Sequence, residues 1–120
     1  MEIFGTDYKF MLTVEAMCKI AEACPDHDIN RLDVWIGDSV VSVAGALKVM
    51  APAMSKAYHD VQKELDPTYD GKILSPRLID MMTVDQIMDL MLEIRKSYAT
   101  DSQPTVETKA KKKGKAAGST

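Results

Sequence analysis

The chain has few of the residues that build disulfides and metal sites: two cysteines and two histidines among 120 residues. Cys18 and Cys24 lie about 240° apart around the axis of one predicted helix, so they cannot form a disulfide while that helix persists. A structural zinc site needs four ligands, and completing one from Cys24 and His27 would also require Cys18 and the distant His59. We therefore expect no metal site and a reduced, cytoplasmic protein.

Patterns typical of catalytic and phosphate-binding sites are also missing. Gly37 and Gly71 are isolated, so neither belongs to a glycine-rich phosphate loop, and the G-x-S-x-G nucleophile motif does not occur. Cys24 lies at the C-terminal end of its predicted helix, where the helix dipole disfavours a thiolate. We therefore expect a protein that is not an enzyme and that uses no cofactor.

No uninterrupted apolar run approaches the roughly eighteen residues of a membrane span, and no secretory signal opens the chain. Aromatic residues make up only 6% of the sequence, with two Phe and one Trp, whereas methionine occurs nine times. Methionine fills irregular gaps in cores and adapts to varied partners, so this richness suits either a helical core or a binding surface. These features predict a soluble protein with no membrane partner.

The charge changes sign near the C-terminus. Residues 1–99 carry a net charge of −6 and residues 100–120 carry +3, which together give the overall −3. The acidic body argues against nucleic acid as a partner, because duplex binding requires a basic face. Residues 100–120 lack apolar periodicity, so we predict a disordered tail that keeps the protein soluble or contacts an acidic surface. Its basic residues are Lys109, Lys111, Lys112, Lys113 and Lys115.

Residues 1–99 are predicted to form one compact domain of mainly α (α+β) class. Strand-forming residues on either side of Gly5-Thr6-Asp7 predict a short hairpin that pairs Glu2–Phe4 with Tyr8–Leu12. Apolar periodicity and capping residues then predict a small helical bundle. Its segments are Thr13–Cys24, Ile29–Ile36, Val40–Leu65, a short helix after Ser75-Pro76, and Val84–Tyr98 behind a capping box at Thr83. Pro52 either kinks the longest helix or starts a new one.

Two features are candidates for protein binding. Trp35 lies on a short predicted helix beside Gly37, and tryptophan is enriched at the centres of interfaces, although a single tryptophan also suits a core. Four methionines occupy more than one face of two neighbouring predicted helices, so one core cannot easily bury them all. These are Met81, Met82, Met88 and Met91.

The order of segments resembles a known family. A hairpin that continues into a helix (DYKFMLTVEAMCKIAEAC) precedes a helical middle and a polar loop with a new helix start (KILSPRLIDM). A capped amphipathic helix (TVDQIMDLMLEIRKSY) and a Thr/Val/Glu segment that runs into lysines (TVETKAKKKGK) follow. Nearly the whole chain thus resembles the short tail assembly chaperones of long-tailed, siphovirus-like bacteriophages and prophages.

The resemblance implies a non-catalytic chaperone in the host cytoplasm that binds and solubilises the tape measure protein, helps to recruit tail tube proteins, and is absent from the mature virion. It also implies a longer product made by programmed frameshifting, which some codon choices for Lys111–Lys115 would permit and synonymous ones would abolish. Self-association is a further expectation. The alternative is a generic helical interaction module or a small regulator from a mobile element. A nucleic-acid-binding regulator is disfavoured, because Val84–Tyr98 has too few basic and amide side chains for a recognition helix.

Overall fold

The computed structural model describes residues 1–102 as a helical domain with a short hairpin at its N-terminus. The predicted fold class, mainly α with an N-terminal β-hairpin, is confirmed. In chain order the elements are β1 (Glu2–Ile3), β2 (Thr6–Asp7), α1 (Val14–Ala23), two 3₁₀ turns (Pro25–His27 and Ile29–Arg31), α2 (Leu32–Ile36), α3 (Val40–Leu65), α4 (Pro76–Asp80) and α5 (Val84–Asp101).

The hairpin is tighter than predicted, and the predicted second strand, Tyr8–Leu12, is wrong. Glu2 pairs with Asp7 and Ile3 with Thr6, so the turn is Phe4-Gly5 rather than Gly5-Thr6-Asp7. Both turn residues have positive φ, 47° and 83°, which matches the right-handed twist of a two-residue hairpin loop. The second strand ends at Asp7, and Tyr8, whose side chain is buried in the core, still exchanges two hydrogen bonds with Met1.

Side-chain caps fix the starts of α1, α3, α4 and α5, and the caps at Thr13, Ser75 and Thr83 were predicted. The hydroxyl oxygens of Thr13, Ser39 and Ser75 accept hydrogen bonds from backbone N–H groups in the first turns of α1, α3 and α4. At Thr83 the predicted capping box is confirmed, because the side chains of Thr83 and Gln86 each accept from the other residue's backbone N–H. These caps satisfy donors that would otherwise lack partners.

Helix α3 is the centre of the fold and contacts α1, α2, α4 and α5. It continues through Pro52, so the alternative of a new helix at that residue does not hold. Since proline has no N–H, the Lys48 carbonyl has no helical donor at the expected position. By length and composition α3 would also suit a membrane crossing, yet its apolar side contributes core residues, including Leu47, Met50 and Met54.

The last helix continues past the predicted domain boundary. Helix α5 extends to Asp101, whereas the sequence predicted an end at Tyr98 and a tail from residue 100. A carboxylate oxygen of Asp101 accepts a hydrogen bond from the backbone N–H of Leu12 at 2.9 Å, which joins the end of α5 to the segment before α1. The predicted disordered tail, with its five lysines, otherwise lies outside the described residues.

Candidate partner-binding site

The predicted site residues separate into buried and exposed groups. Met91 is 5% exposed and belongs to the core, while Trp35 and Met82 are half-buried and pack against that core. Met81 and Met88 are 51% and 46% exposed. The structure therefore does not bring the five residues together, and two of the four methionines keep large solvent-exposed surfaces.

One apolar groove lies where the first turns of α3 approach α4 and α5. It is a cavity of about 400 Å³, which we call the methionine groove. Its apolar lining comes from Val40, Val41, Ala44, Ile79, Met82, Val84 and Ile87, with Gly45, Lys48 and Asp80 as the remaining lining residues. Val41 is 83% exposed and Val84 is 56% exposed, so the groove opens to solvent through branched apolar side chains.

Val40, Val41 and Val84 were not among the residues predicted to bind a partner. The signal was the β-branched run Val40-Val41-Ser42-Val43, which is an unusual opening for a helix. Only Val43 of that run is buried among the core residues, whereas Val40 is 40% exposed and Val41 is 83% exposed. Exposed apolar side chains beside a concave surface are typical of a binding site for an apolar or amphipathic segment.

A second exposed apolar surface lies on the outer side of α5. Met88 and Leu92, which is 68% exposed, are one turn apart and so lie next to each other on the helix. Asp85, Asp89 and Glu93 form a parallel row with the same one-turn spacing, and no basic residue occurs between Asp85 and Glu93. We call these five residues the acidic face of α5.

A third surface, which we call the lysine groove, lies between α1, α3 and the segment before α4. It is a cavity of about 570 Å³. Its floor is apolar and includes Ala23, Val49, Pro52, Ala53, Ile73 and Leu74. Its charged lining residues are Lys19, Lys48, Lys56 and Glu22.

Ion pairs hold two of the groove's lysines in place. Lys48 Nζ lies 2.5 Å from a carboxylate oxygen of Asp80, and Lys56 Nζ lies 2.5 Å from Asp60. The hydrogen bond from Lys56 lowers the pKa of the Asp60 carboxyl, and the same contact raises the pKa of Lys56. Lys19 makes no ion pair within residues 1–102. Both paired lysines are well exposed, so their charges also act on groups that approach from solvent.

The cysteines and histidines do not come together in the described domain. Cys18 is exposed, whereas Cys24 is buried and its thiol donates to the Ile20 carbonyl at 3.4 Å. Burial raises the pKa of the Cys24 thiol, which keeps it protonated. His59 lies beside Asp60 and the ring of Tyr69. Within residues 1–102, no three His, Cys, Asp or Glu side chains are placed to hold a metal ion.

The chain matches no protein-family model, no curated protein and no solved structure.

Proposed function

We propose that this protein is a non-catalytic phage tail assembly chaperone that binds and solubilises a tape measure protein and helps to recruit tail tube subunits. The observation that carries the proposal is the methionine groove, an open apolar surface on a domain whose first 99 residues have a net charge of −6. The order of the chain's segments, which resembles that of short tail assembly chaperones, supplies the identity of the partner.

An apolar groove of this kind suits a long amphipathic helix. Such a helix presents apolar side chains at every third or fourth position, and these can pack against the valines and isoleucines of the groove and its one methionine, Met82. Each copy would contact only a short stretch of the rod. Many weakly bound copies along one rod would then cover it through multivalency.

The net negative charge of residues 1–99 would also keep assembled complexes apart. Copies bound side by side would present negative charge to solvent, and this charge opposes association between neighbouring rods. The proposal places the protein in the host cytoplasm during virion assembly and outside the finished particle. It requires no cofactor and no membrane.

The proposed site can be tested with a matched pair of substitutions. Val84 and Val14 are each the first residue of a helix behind a threonine cap, and both are exposed. An aspartate is favourable at either position because of the helix dipole, so neither variant should unfold. Only Val84 lies in the methionine groove. We expect Val84→Asp to reduce the soluble fraction of a co-expressed tape measure protein, and Val14→Asp to leave it unchanged.

Equal losses in both variants would show that the groove is not the site. A tape measure protein that is equally insoluble with and without the wild-type chain would contradict the proposed function itself. The implied longer product has a separate test in the nucleotides that encode Ala110–Thr120. A slippery run there, with an open −1 frame beyond it, supports frameshifting.

A further inference from the structure

Helix α5 exposes both apolar surface and unpaired charge on its acidic face. Met88 and Leu92 are 46% and 68% exposed and lie one turn apart. The face also carries three carboxylates that make no ion pair within residues 1–102. These are Asp85, Asp89 and Glu93. A segment that docks here must therefore cover apolar side chains and supply positive charge.

The basic residues that follow this row on α5 do not neutralise it. Arg95 is paired with Asp33 at 3.4 Å, and Lys96 makes no ion pair within residues 1–102. Lys96 together with the three carboxylates still gives a formal charge of −2. No other helix in the described part of the chain has three carboxylates at successive four-residue intervals. Negative charge is therefore concentrated on α5.

We propose that the chain's own lysine-rich segment, residues 109–115, docks along the acidic face of α5. This segment contains all five lysines of residues 103–120, and Glu107 is the one acidic residue there, so residues 103–120 have a formal charge of +4. Lysine stems pack readily on apolar surface while their ammonium groups stay in water. They would cover Met88 and Leu92 and place the ammonium groups beside the carboxylates.

The spacing of the two charged rows agrees. Lysines occupy every second position from 109 to 115. In an extended segment these side chains lie on one side, about 6.6 Å apart. The carboxylates of the acidic face are four residues apart on a helix, which is about 6 Å. Three successive lysines can therefore lie opposite three successive carboxylates, with Lys109 nearest to Glu93.

The connection to α5 is long enough for this contact. Helix α5 ends at Asp101 with Ser102 as its C-cap, and Pro104 cannot continue the helix, so the chain can turn back there. Seven residues separate Ser102 from Lys109 and span up to about 25 Å when extended. Glu93 lies nine residues before Ser102, about 14 Å back along the helix axis. Lys109 thus reaches Glu93, and the following lysines continue towards the start of α5.

The tether favours the chain's own segment over that of another molecule. A short linker holds its segment at an effective concentration in the millimolar range, which a second copy reaches only in very concentrated samples. The inference does not depend on the proposed function, because both partners belong to this chain. Val84 directly precedes Asp85 and lines the methionine groove, so the docked segment would border that groove.

Paramagnetic relaxation in the full chain tests the contact. A nitroxide label on Ala110→Cys, in a Cys18→Ser background, leaves all five lysines in place, and Cys24 is buried and stays unlabelled. At an ionic strength of about 0.01 M, where the Debye length is about 30 Å, we expect enhanced relaxation at the backbone amides of Met88 and Leu92. At about 1 M, where the Debye length is about 3 Å, the enhancement should fall by about tenfold.

Charge reversals locate the contact. Asp89→Lys should lower the enhancement at Leu92 by about fivefold at low ionic strength, because repulsion replaces attraction. Glu64→Lys makes the same change at an exposed carboxylate that lies outside the acidic face and has no ion pair within residues 1–102, so it should leave the enhancement unchanged. Adding Lys111→Glu to Asp89→Lys makes the two rows complementary again and should raise the enhancement above that of Asp89→Lys alone.

A mixed sample separates contact within one molecule from contact between molecules. Spin-labelled chain without nitrogen-15 is added to unlabelled chain that contains it, each at about 0.1 mM, which is well below the effective concentration of a tethered segment. We expect no enhancement at Leu92 in this mixture. An enhancement as large as that within one chain would show that the segment binds a second copy instead.

Three other results would overturn the inference. The first is a wild-type chain with no more enhancement at α5 in low salt than in high salt. The second is an equal decrease in Asp89→Lys and Glu64→Lys, since this would mean general attraction to an acidic domain. The third is a failure of Lys111→Glu to restore what Asp89→Lys removes. Circular dichroism of each variant shows that a loss of contact is not a loss of folding.

Discussion

Replacing Ser55 with alanine should destabilise the domain through a single hydrogen bond. Ser55 is 2% exposed in the middle of α3, and its hydroxyl oxygen accepts from the backbone N–H of Leu74 at 2.9 Å. Leu74 is itself 1% exposed, so its N–H has no access to solvent once the hydroxyl is gone. A buried backbone donor left without a partner costs about 1–3 kcal/mol.

The better helix propensity of alanine offsets part of that loss, by roughly 0.5 kcal/mol. The expected net destabilisation is therefore about 1–2 kcal/mol. Urea unfolding followed by circular dichroism measures it, and Ser97→Ala, a half-buried serine on α5, is the matched control that should change stability little. Amide hydrogen exchange at Leu74 should also become faster in Ser55→Ala. A variant as stable as the wild type, with unchanged exchange at Leu74, would refute the reasoning.

Three further predictions follow from burial and charge. Ile87→Asp places an unpaired charge at a position that is 4% exposed, so circular dichroism should show an unfolded chain. A folded variant would contradict the observed packing of α5. Iodoacetamide should modify Cys18 in the native protein and leave Cys24 unmodified until the chain unfolds. The reason is that Cys24 is buried and that burial raises the pKa of its thiol. Equal labelling rates of the two cysteines in the native protein would contradict this prediction. Lys56 lowers the pKa of Asp60 in the folded state, so the pair stabilises the domain above the ordinary carboxyl pKa of 3.8 and loses that effect as the pH falls through the lowered value. Asp60→Asn should therefore lower the urea midpoint slightly at neutral pH and leave it unchanged in strong acid. An equal decrease of the midpoint at both pH values would contradict a stabilising Lys56–Asp60 ion pair.

Local chemistry near the helix ends was sufficient to predict most helix positions. A Ser or Thr cap, a proline in the first turn or a capping box acts over three or four residues, and all of these are visible in the sequence. The continuity of α3 through Pro52 could not be predicted from the sequence. It depends on the packing of neighbouring helices against α3, which is not a local property. The end of α5 was misplaced for a similar reason, since Asp101 is held by Leu12 from the other end of the domain.

The hairpin register failed because of the turn. Phe4 adopts a positive φ of 47°, which bulky residues rarely do, so the pattern favoured the polar residues Gly5-Thr6-Asp7 as the turn instead. Because the turn lies earlier in the chain than predicted, the second strand ends at Asp7. Tyr8 and Leu12 were expected in a strand and are instead buried core residues.

The candidate surfaces were only partly predictable. An excess of methionines indicated that some would be exposed, but which ones depends on how α5 is rotated against α3. That rotation buries Met91 and leaves Met88 outside. The lysine groove could not be foreseen at all, because it combines Lys19 of α1 with Lys48 and Lys56 of α3, and only the packing of the two helices brings them together.

The most direct test of the proposed function is to co-express the chain with a tape measure protein of a long-tailed phage and to measure the mass of the purified product by light scattering. The proposal predicts one soluble, elongated complex in which many copies of the 13.3 kDa chain accompany each tape measure protein. A tape measure protein that precipitates without the chain bound to it, or two proteins that elute separately, would contradict it.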